Sequence, residues 1–287
     1  MDFFHYMNIA IQGGRASFHD IIARYYFGEN IDITECPSFR DLCNQLDANP
    51  HVDFAVMAIE NSIAASILTN YALIEQYKFK IIGEVYLEIK QYVMTTPETN
   101  VEDIRCVMSH YMALNQCEEY LLTKPSWERR EYHDTADSAK YLTEHHTTDT
   151  AAIASKYACE LYGLKLVEPN SIETYKNNFT RFYILSKGNK YKNDIPDKAT
   201  ISFRLPDKIG ALADVLKIIV DNKVNLTKIQ SLPVYGQANE NRFYVDCEWS
   251  DYANFKKSIG INSIVKDLNI LGEYKKGEFI NDYSRSK

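Results

Sequence analysis

The sequence predicts an α/β protein in which two α/β lobes with a central cleft precede a smaller α+β domain. Over the first 187 residues, short apolar runs alternate with amphipathic segments, as strands alternate with helices in α/β layer folds. This alternation is interrupted once, because two apolar runs between residues 80 and 95 follow each other without a helix. A polar segment then precedes a last region whose pattern has the order βαββαβ.

The first lobe is predicted to begin with a strand, a glycine loop and a capped helix. Residues 7–12 form an apolar run that ends at Gly13-Gly14, and Ser17 precedes an amphipathic segment over 18–27, as a cap precedes a helix. Two further pairs follow: strand 31–36 with helix 38–46, and strand 54–59 with a helix through Leu68, Leu73 and Ile74.

The second lobe is predicted to start after the interruption, which marks the crossing between the lobes. Its elements are expected to be strands over 106–108, 127–132 and 151–154, and helices over 113–122, 135–142 and 155–162. Residues 1–187 are therefore assigned to the two lobes.

A linker and a third domain are predicted after the lobes. Residues 188–198 are polar, lack periodicity and contain both Gly and Pro, which is typical of a linker. The third domain is expected over 199–276, and residues 277–287 remain as a C-terminal tail. Its elements are strand 199–205, a helix around 212–219, strands 226–234 and 242–248, helix 252–267 and strand 268–274.

Composition and charge restrict the function classes. The formal net charge is −7, which argues against a duplex nucleic-acid binder, because such surfaces need clustered Lys and Arg. We find neither a basic leader nor an apolar run of about 18 residues, so we expect a cytoplasmic protein without membrane spans. The six cysteines are scattered and mostly lie beside apolar residues, which favours reduced, mostly buried thiols.

Polar residues follow several predicted strands, at the edge of an α/β sheet where ligands collect. The Gly13-Gly14 loop could hold an anion through its backbone N–H groups, or it could be a plain tight turn. At Glu60-Asn61-Ser62, a ligand site and helix capping by the Asn or Ser are both open. Ser109-His110 and Thr135 have the same placement, and capping explains Thr135 equally well.

The segment Asn178-Phe179-Thr180-Arg181-Phe182 lies where a polar stretch enters an apolar strand. Arg offers a forked donor for a carboxylate, and Thr offers a hydroxyl that can bond a leaving oxygen. Taken alone, a Thr-Arg pair at a strand edge is more often structural. The seven histidines form no metal-binding pattern, since His145 and His146 are adjacent and point about 100° apart on a helix.

Five segments, taken in order, resemble the motifs of the prephenate dehydratase family. They are Ile59-Glu60-Asn61-Ser62-Ile63, Ser109-His110-Tyr111-Met112-Ala113-Leu114, Asp134-Thr135-Ala136, Ala151-Ala152-Ile153-Ala154-Ser155 and Asn178-Phe179-Thr180-Arg181-Phe182. Each motif is weak by itself, but five in the family's order are specific. The resemblance covers the chain from Met7 to about Tyr274.

The third domain resembles the ACT module that is attached to these enzymes. Gly210-Ala211-Leu212 opens its first helix, and Asn225-Leu226-Thr227-Lys228-Ile229 enters its second strand. The resemblance implies that phenylalanine binds at a subunit interface of a homodimer or homotetramer. The effector-binding residues that it implies are Gly210, Ala211, Leu212, Asn225, Leu226, Gln230 and Ser231.

Several positions depart from the family pattern. Ala16 and Ala65 replace glycines, and Ala58 and Tyr111 replace prolines, so these departures concern backbone shape rather than chemical groups. In the third domain, Gln230-Ser231-Leu232-Pro233 stands where Glu-Ser-Arg-Pro is usual, which puts the affinity for phenylalanine in question. Only six residues precede Met7, so we expect no N-terminal chorismate mutase and a single enzymatic activity.

The resemblance implies an enzyme that converts prephenate to phenylpyruvate, with loss of carbon dioxide and a ring hydroxyl and without a cofactor or metal. Thr180 is expected to bind or protonate the departing hydroxyl, with a relay from Glu60 or water as an option. Arg181 reaches the substrate only if the backbone is irregular there, because neighbouring side chains of a regular strand point to opposite faces. The implied substrate-binding residues are Gly13, Glu60, Asn61, Ser62, Ser109, Thr135, Asn178, Arg181 and Phe182.

Two other functions are compatible with the same pattern. Arogenate dehydratase acts on a substrate with an amino group where prephenate has a ketone, and the motifs do not separate the two. A non-catalytic amino-acid sensor is the second, since two α/β lobes with a cleft are also the plan of type II periplasmic binding proteins. The Thr180 motif and the lack of an export signal argue against a sensor.

Overall fold

A computed structural model describes residues 6–188, 195–205, 208–234 and 240–281. Most of the predicted linker, over 189–194, and the end of the predicted tail, over 282–287, lie outside these residues. The strands are β1 Met7–Gln12, β2 Ile31–Cys36, β3 Phe54–Asn61, β4 Ala65–Ser66, β5 Lys80–Glu88, β6 Tyr92–Thr95, β7 Cys106–His110, β8 Glu128–Tyr132, β9 Thr150–Ala154, β10 Lys165–Leu166, β11 Phe179–Ser186, β12 Lys198–Arg204, β13 Asn225–Pro233, β14 Asn241–Glu248, β15 Lys266–Tyr274 and β16 Phe279–Ile280.

The helices complete a mixed α/β fold. They are α1 Phe18–Phe27, α2 Phe39–Ala48, α3 Leu68–Gln76, α4 Tyr111–Gln116, α5 Glu118–Leu122, α6 Thr135–Glu144, α7 Lys156–Leu161, α8 Ala211–Asp221 and α9 Tyr252–Ser258, with short 3-10 helices at Val101–Asp103 and Ile259–Ser263. Among the described residues, no helix has the length and apolar character needed to cross a membrane.

The chain divides into two compact units that alternate along the sequence. Unit 1 comprises Met1–Ser66, Val85–Phe182 and Phe279–Lys287, and unit 2 comprises Ile67–Glu84 and Tyr183–Glu278. Strands β5 and β11 each begin in one unit and end in the other. Each unit therefore combines segments that lie far apart in the sequence.

The first sheet of unit 1 has the strand order β16-β5-β11-β3-β1-β2, with β4 paired to β3 beside this path. Strand β1 pairs in parallel with β2 and β3. Strand β3 is buried over its first six residues, and β1 is buried at Ile9, Ala10 and Ile11, as expected of strands covered on both faces. Ser17 accepts a hydrogen bond from the backbone N–H of Asp20 and caps α1, which confirms the predicted start of this helix.

The second sheet of unit 1 has the strand order β10-β6-β9-β7-β8. Strand β7 pairs in parallel with β8 and β9, and β6 runs antiparallel to β9. Because β5 belongs to the first sheet and β6 to the second, the interruption over 80–95 marks the passage of the chain from one sheet to the other. This passage was predicted from the missing helix.

Unit 2 contains an antiparallel sheet of order β13-β14-β12-β15. The elements from β12 to β15 follow the expected order βαββαβ. Alternate residues of β12, namely Ala199, Ile201 and Phe203, pack with α8 and α9 in an apolar core. Of the other residues of β12, Lys198, Thr200 and Ser202 are also buried.

The polar face of this sheet is closed within unit 2 by α3 and by parts of β5 and β11. Glu75 of α3 accepts hydrogen bonds from Ser202 at 2.9 Å and Tyr244 at 3.0 Å, and it pairs with Arg242 at 2.8 Å. Lys198, which is 2% exposed, pairs with Glu84 of β5 at 2.9 Å. Buried polar groups are tolerated here because each has a partner of opposite charge or hydrogen-bonding type.

Several elements differ from those predicted. The expected helix over 113–122 is two helices, because Cys117 has φ −107° and ψ 20° and breaks the helical path. The helix expected over 252–267 ends at Ser258 and continues as a 3-10 helix. Strand β16 was not predicted, since a two-residue strand has no detectable periodicity in the sequence.

The helix expected to open near Asn61 and Ser62 begins only at Leu68, and neither residue caps it. Strand β3 instead extends to Asn61, whose side-chain oxygen accepts the backbone N–H groups of Ile63 at 3.0 Å and Ala64 at 2.9 Å. These bonds close a turn, and Ala65 then pairs back with Asn61 in the antiparallel strand β4. The capping interpretation is wrong because Asn61 stabilises a turn and not a helix.

Candidate active site

The segments around Asn61 and Thr180 meet in the first sheet of unit 1. Strands β3 and β11 are neighbours in this sheet. The backbone N–H of Ser62 donates to the Phe179 carbonyl at 2.9 Å, and the N–H of Phe179 donates to the Ser62 hydroxyl at 3.0 Å. Two of the five sequence motifs, more than 100 residues apart, therefore form one structural element.

Asn61, Asn178 and Thr180 form a hydrogen-bonded cluster. The Asn61 Nδ2 donates to Asn178 Oδ1 at 2.7 Å and to Thr180 Oγ1 at 2.9 Å. Asn178 is almost fully buried, and Thr180 keeps an exposed fraction of 9%. The Thr180 hydroxyl is therefore held in place at the edge of the buried region.

Arg181 points away from this cluster. Its Nη1 lies 3.6 Å from Glu60 Oε2, and its guanidinium lies over the Tyr86 ring, 5.6 Å from the ring centroid. Strand β11 is regular from Phe179 onwards, so Thr180 and Arg181 face opposite sides of the sheet, as expected for such a strand. The same pairing removes Glu60 from the Thr180 side, so the geometry gives no support to a direct proton relay from Glu60.

Phe182 lies on the Thr180 side of β11 but is buried. Its ring meets the His19 ring edge to face at 5.0 Å. The His19 Nε2 accepts the backbone N–H of Ala58 at 3.2 Å, and burial lowers the pKa of His19 to about 3. A neutral histidine thus supports the strand that carries Glu60 and Asn61.

The Gly13-Gly14 loop is packed tightly against the start of α6. A Cβ atom added at Gly13 would lie 2.7 Å from Asp134 Oδ2, and one at Gly14 would lie 2.4 Å from Asp137 Oδ1. The Gly13 N–H donates to the Cys36 carbonyl at 2.9 Å. Gly13 has φ 89°, a conformation that favours glycine, and the two carboxylates disfavour an anion at this residue. The tight-turn interpretation is favoured over anion binding.

Two loops of unit 1 are joined by side-chain hydrogen bonds. Ser155, which caps α7, donates from its hydroxyl to the Ala16 carbonyl at 2.9 Å. The Tyr162 hydroxyl donates to the Arg15 carbonyl at 2.9 Å. Asp20 accepts the Ala16 N–H at 2.7 Å and pairs with Arg24 at 2.9 Å. The fourth motif, which ends at Ser155, therefore holds the Gly13-Gly14 loop through Ala16.

Ser109 and Thr135 are placed apart from the Asn61 and Thr180 cluster. The Ser109 hydroxyl donates to the Ile153 carbonyl at 2.6 Å inside the second sheet. Thr135 is the first residue of α6, and the cap is Asp134, which accepts the N–H groups of Ala136 and Asp137. Burial, together with the charge of Asp137, raises the pKa of Asp134. The interpretation of Thr135 as the cap of α6 is therefore wrong, because the cap is the residue before it.

Phe279 is a residue near the site that sequence reasoning missed. Strand β16 pairs with β5 at Tyr86 and Leu87, and the Phe279 ring stacks on Tyr86 at 4.4 Å. The same ring meets Phe179 edge to face at 5.3 Å. Strand β16 thus packs on the ring that lies against Arg181. Its distance in sequence from every motif left no signal for this contact.

The residues implied for effector binding lie in two places of unit 2. Gly210 has φ 84° and precedes α8, so the predicted start of this helix at Gly210-Ala211-Leu212 is confirmed. Asn225 and Leu226 begin β13, which is an edge strand of its sheet. Gln230 and Ser231 lie further along the same strand, where the Gln230 Nε2 donates to the Ser231 carbonyl at 3.1 Å.

The cysteines take no part in the candidate site. All six are buried and unpaired, as predicted. Burial raises the pKa of each thiol, for example to about 11 in Cys36 and Cys159, so they are protonated and unreactive near neutral pH.

The site offers a positioned hydroxyl and amide donors rather than an activated nucleophile or base. Such a set suits an enzyme that orients an anionic substrate and bonds an oxygen as it leaves, which is the task of a dehydratase, a carbon–oxygen lyase. Comparison with known proteins narrows this class. A family model described as prephenate dehydratase matches residues 9–190. The chain belongs to the prephenate dehydratase family.

Individual relatives agree with this assignment. The prephenate dehydratase of Methanocaldococcus jannaschii is 34% identical over 259 residues, which is 87% of this chain and 90% of the relative. Arogenate dehydratase 2 of Petunia hybrida is also 34% identical, over 81% of this chain and 58% of the relative. A prephenate dehydratase from Arthrobacter aurescens, solved in complex with L-Phe, shares the fold with a TM-score of 0.83 and 23% identity, over 94% of this chain and 90% of that one.

Proposed function

We propose that this protein is a prephenate dehydratase, which converts prephenate to phenylpyruvate in phenylalanine biosynthesis. The observation that carries the proposal is the Thr180 hydroxyl, which is held by Asn61 in a cluster formed by two family motifs. The proposed enzyme is cytoplasmic and uses no cofactor or metal.

The reaction breaks two bonds of the substrate together. The bond between the ring and its carboxylate breaks, its electron pair enters the ring as carbon dioxide leaves, and the carbon–oxygen bond to the ring hydroxyl breaks with its pair on oxygen. The Thr180 hydroxyl donates a hydrogen bond or proton to this oxygen, which leaves as water. A threonine that has given its proton regains one from solvent, since it is 9% exposed. Gain of aromaticity in the product supplies the driving force.

The other residues of the site have supporting roles in this proposal. Asn178 and Ser62 lie in the Thr180 cluster, where they can contact the substrate. Glu60 and Arg181 neutralise each other on the opposite face of β11 and keep its start in register with β3. Substrate contacts at Gly13, Ser109 and Thr135 stay predictions, because these residues lie outside that cluster.

The substrate itself is tested by product analysis. Purified protein is incubated separately with prephenate and with arogenate, and phenylpyruvate and phenylalanine are measured. The proposal predicts phenylpyruvate from prephenate at a higher kcat/KM than phenylalanine from arogenate. The reverse preference would make the protein an arogenate dehydratase, and no turnover of either would leave an amino-acid sensor.

We propose a regulatory module in the second half of the chain. Residues 1–187 form the catalytic part with two α/β lobes in the manner of type II periplasmic binding proteins, 188–198 a linker, 199–276 an ACT domain and 277–287 a tail. The βαββαβ order of β12 to β15 and the position of Gly210 before α8 support this proposal. The L-Phe bound to the Arthrobacter relative suggests the effector.

Phenylalanine would bind between the ACT domains of a homodimer or homotetramer. Calorimetry with the full chain is expected to show saturable binding of phenylalanine and weaker binding of tyrosine. If well-folded protein gives no heat of binding, effector binding is refuted. The departures from the family pattern at Gln230 and Leu232 would then explain the loss of binding.

A further inference from the structure

The orientation of the Asn61 side chain decides how the Thr180 hydroxyl is used. Asn61 Oδ1 receives the backbone N–H groups of Ile63 and Ala64, at 3.0 and 2.9 Å. A backbone N–H can only donate, so the atom facing these two groups must be the amide oxygen. The NH2 group of Asn61 therefore faces Asn178 and Thr180, and the reverse orientation would set donors against donors.

This orientation makes the Thr180 oxygen an acceptor. Asn61 Nδ2 lies 2.9 Å from Thr180 Oγ1 and has no lone pair to offer, so the hydrogen of this bond comes from Asn61. The Thr180 hydrogen has no acceptor among the described residues. The hydroxyl thus turns its proton outwards, as a donor to a leaving oxygen requires.

Asn61 has no hydrogen left for a substrate. One hydrogen of Nδ2 goes to Thr180 and the other to Asn178 Oδ1 at 2.7 Å, while its oxygen already accepts two bonds. Asn178 differs, since its own Nδ2 is buried and has no hydrogen-bond partner in the described structure. Asn178 therefore keeps an unused donor, whereas both hydrogens of the Asn61 amide are used within the protein.

We infer that Asn61 is a positioning residue, which fixes the Thr180 hydroxyl as a donor and does not itself bind the substrate. This inference rests on the proposed function and refines it. The amide acts by accepting from the turn at Ile63 and Ala64, which locks the direction of its NH2 group.

The Asn61→Asp variant tests the inference because it keeps the shape of the side chain and replaces both donor hydrogens of Nδ2 with an acceptor oxygen. The side-chain amide of Asn178 can rotate so that its Nδ2 donates to this new oxygen. The carboxylate still accepts from Ile63 and Ala64, and these bonds hold it ionised near neutral pH. Its second oxygen then accepts from Thr180, so the hydroxyl proton turns inwards. At pH 7.5 we expect kcat for prephenate to fall about 100-fold, as for loss of one donor to a leaving oxygen, with little change in KM.

Two further readouts separate positioning from general damage. As pH falls, protonation of the introduced carboxylate restores a donor towards Thr180, so the ratio of variant to wild-type kcat should rise; a damaged fold would give no such recovery. In a Thr180→Ala background, Asn61→Asp should reduce kcat less than about threefold, because the group through which it acts is gone. Thermal unfolding of each variant checks that the fold is retained.

The outcomes distinguish this inference from the proposed function. If wild type does not turn over prephenate, the proposed function itself fails. If wild type is active and Thr180→Ala is not, but Asn61→Asp keeps the wild-type kcat at every pH, only the positioning role of Asn61 is overturned. If Asn61→Asp mainly raises KM and leaves kcat near the wild-type value, the positioning role is also overturned, because Asn61 would then be a substrate contact.

Discussion

Two alanines, Ala16 and Ala65, adopt backbone conformations that ordinarily favour glycine. Both have φ 66°, in the left-handed region, where a Cβ atom crowds the backbone. The Ala16 conformation is held by the Asp20 carboxylate and the Ser155 hydroxyl, and that of Ala65 by the turn that Asn61 closes. At both positions the family pattern has glycine, and the left-handed backbone conformation explains this preference.

Replacing Ala65 by glycine should stabilise the protein. Relief of the left-handed conformation is worth about 1 to 2 kcal/mol, and the added freedom of the unfolded chain costs about 0.4 to 1 kcal/mol. We expect a net gain of roughly 0.5 to 1 kcal/mol in the free energy of unfolding, measured by urea denaturation. Ala213→Gly, at an exposed site in α8, is the control. It should lower the free energy of unfolding by about the amount that Ala65→Gly raises it. If Ala65→Gly also lowers the free energy of unfolding, the backbone of Ala65 is not strained.

His19 gives the stability of the protein a dependence on pH. Burial lowers its pKa to about 3 in the folded chain, whereas an unfolded histidine binds a proton below about pH 6.5. The unfolded state therefore binds more protons between these values. This contribution to stability is complete above about pH 6.5 and declines as pH falls, by up to about 1.4 kcal/mol per pH unit.

The measurement is a urea denaturation series between pH 7.5 and 5 on wild type and His19→Gln. The variant retains an acceptor for the Ala58 N–H but cannot titrate, so its stability should fall less steeply with pH. Equal slopes would show that His19 is not held neutral.

At the level of elements, alternation and capping predicted most strands and helices. Ser17, Ser38 and Ser155 cap their helices, because a hydroxyl before an apolar periodic run has a clear local signal. The turn after Asn61 was interpreted as a helix start, since Asn serves both roles and only the pairing of β4 with β3 separates them. Strand β16 could not be predicted, because it is a strand through its pairing with β5 and its two residues have no local signal.

The C-terminal strand should contribute to the stability of unit 1. Phe279 contacts both Tyr86 and Phe179, and aromatic pairs are worth about 0.5 to 1.5 kcal/mol each. Phe279→Ala should therefore lower the free energy of unfolding by about 1 to 2 kcal/mol, while Phe279→Tyr, which keeps the ring, should change it little. Identical denaturation curves for wild type and Phe279→Ala would mean that β16 contributes nothing.

At the scale of the whole molecule, the chain does not fold as a simple succession of segments. Residues 67–84 follow the Asn61 turn in sequence, yet they belong to the compact unit that contains β12 to β15. Glu75 shows why the sequence did not reveal this. A glutamate near the end of a helix is usually exposed, and only the folded chain shows that Glu75 is bound by Ser202, Arg242 and Tyr244.

Only part of the candidate site could be predicted from the sequence. Motif order identified the family and brought attention to Thr180, and strand alternation placed Arg181 on the opposite face. The partners of each side chain were not predictable, because Asn61 and Thr180 are 119 residues apart and nothing local specifies the hydrogen bond between them. A site built across two strands is visible only once their register is known.

The central claim is that Thr180 supplies the donor for loss of the hydroxyl from prephenate. Its most direct test is the kcat of Thr180→Ala and Thr180→Ser against wild type, with phenylpyruvate as the measured product and thermal unfolding as the check on folding. We expect Thr180→Ala to fold normally and to lose at least about 100-fold in kcat, while Thr180→Ser, which keeps the hydroxyl, retains much of the activity. A Thr180→Ala enzyme that turns over prephenate near the wild-type rate would contradict the account.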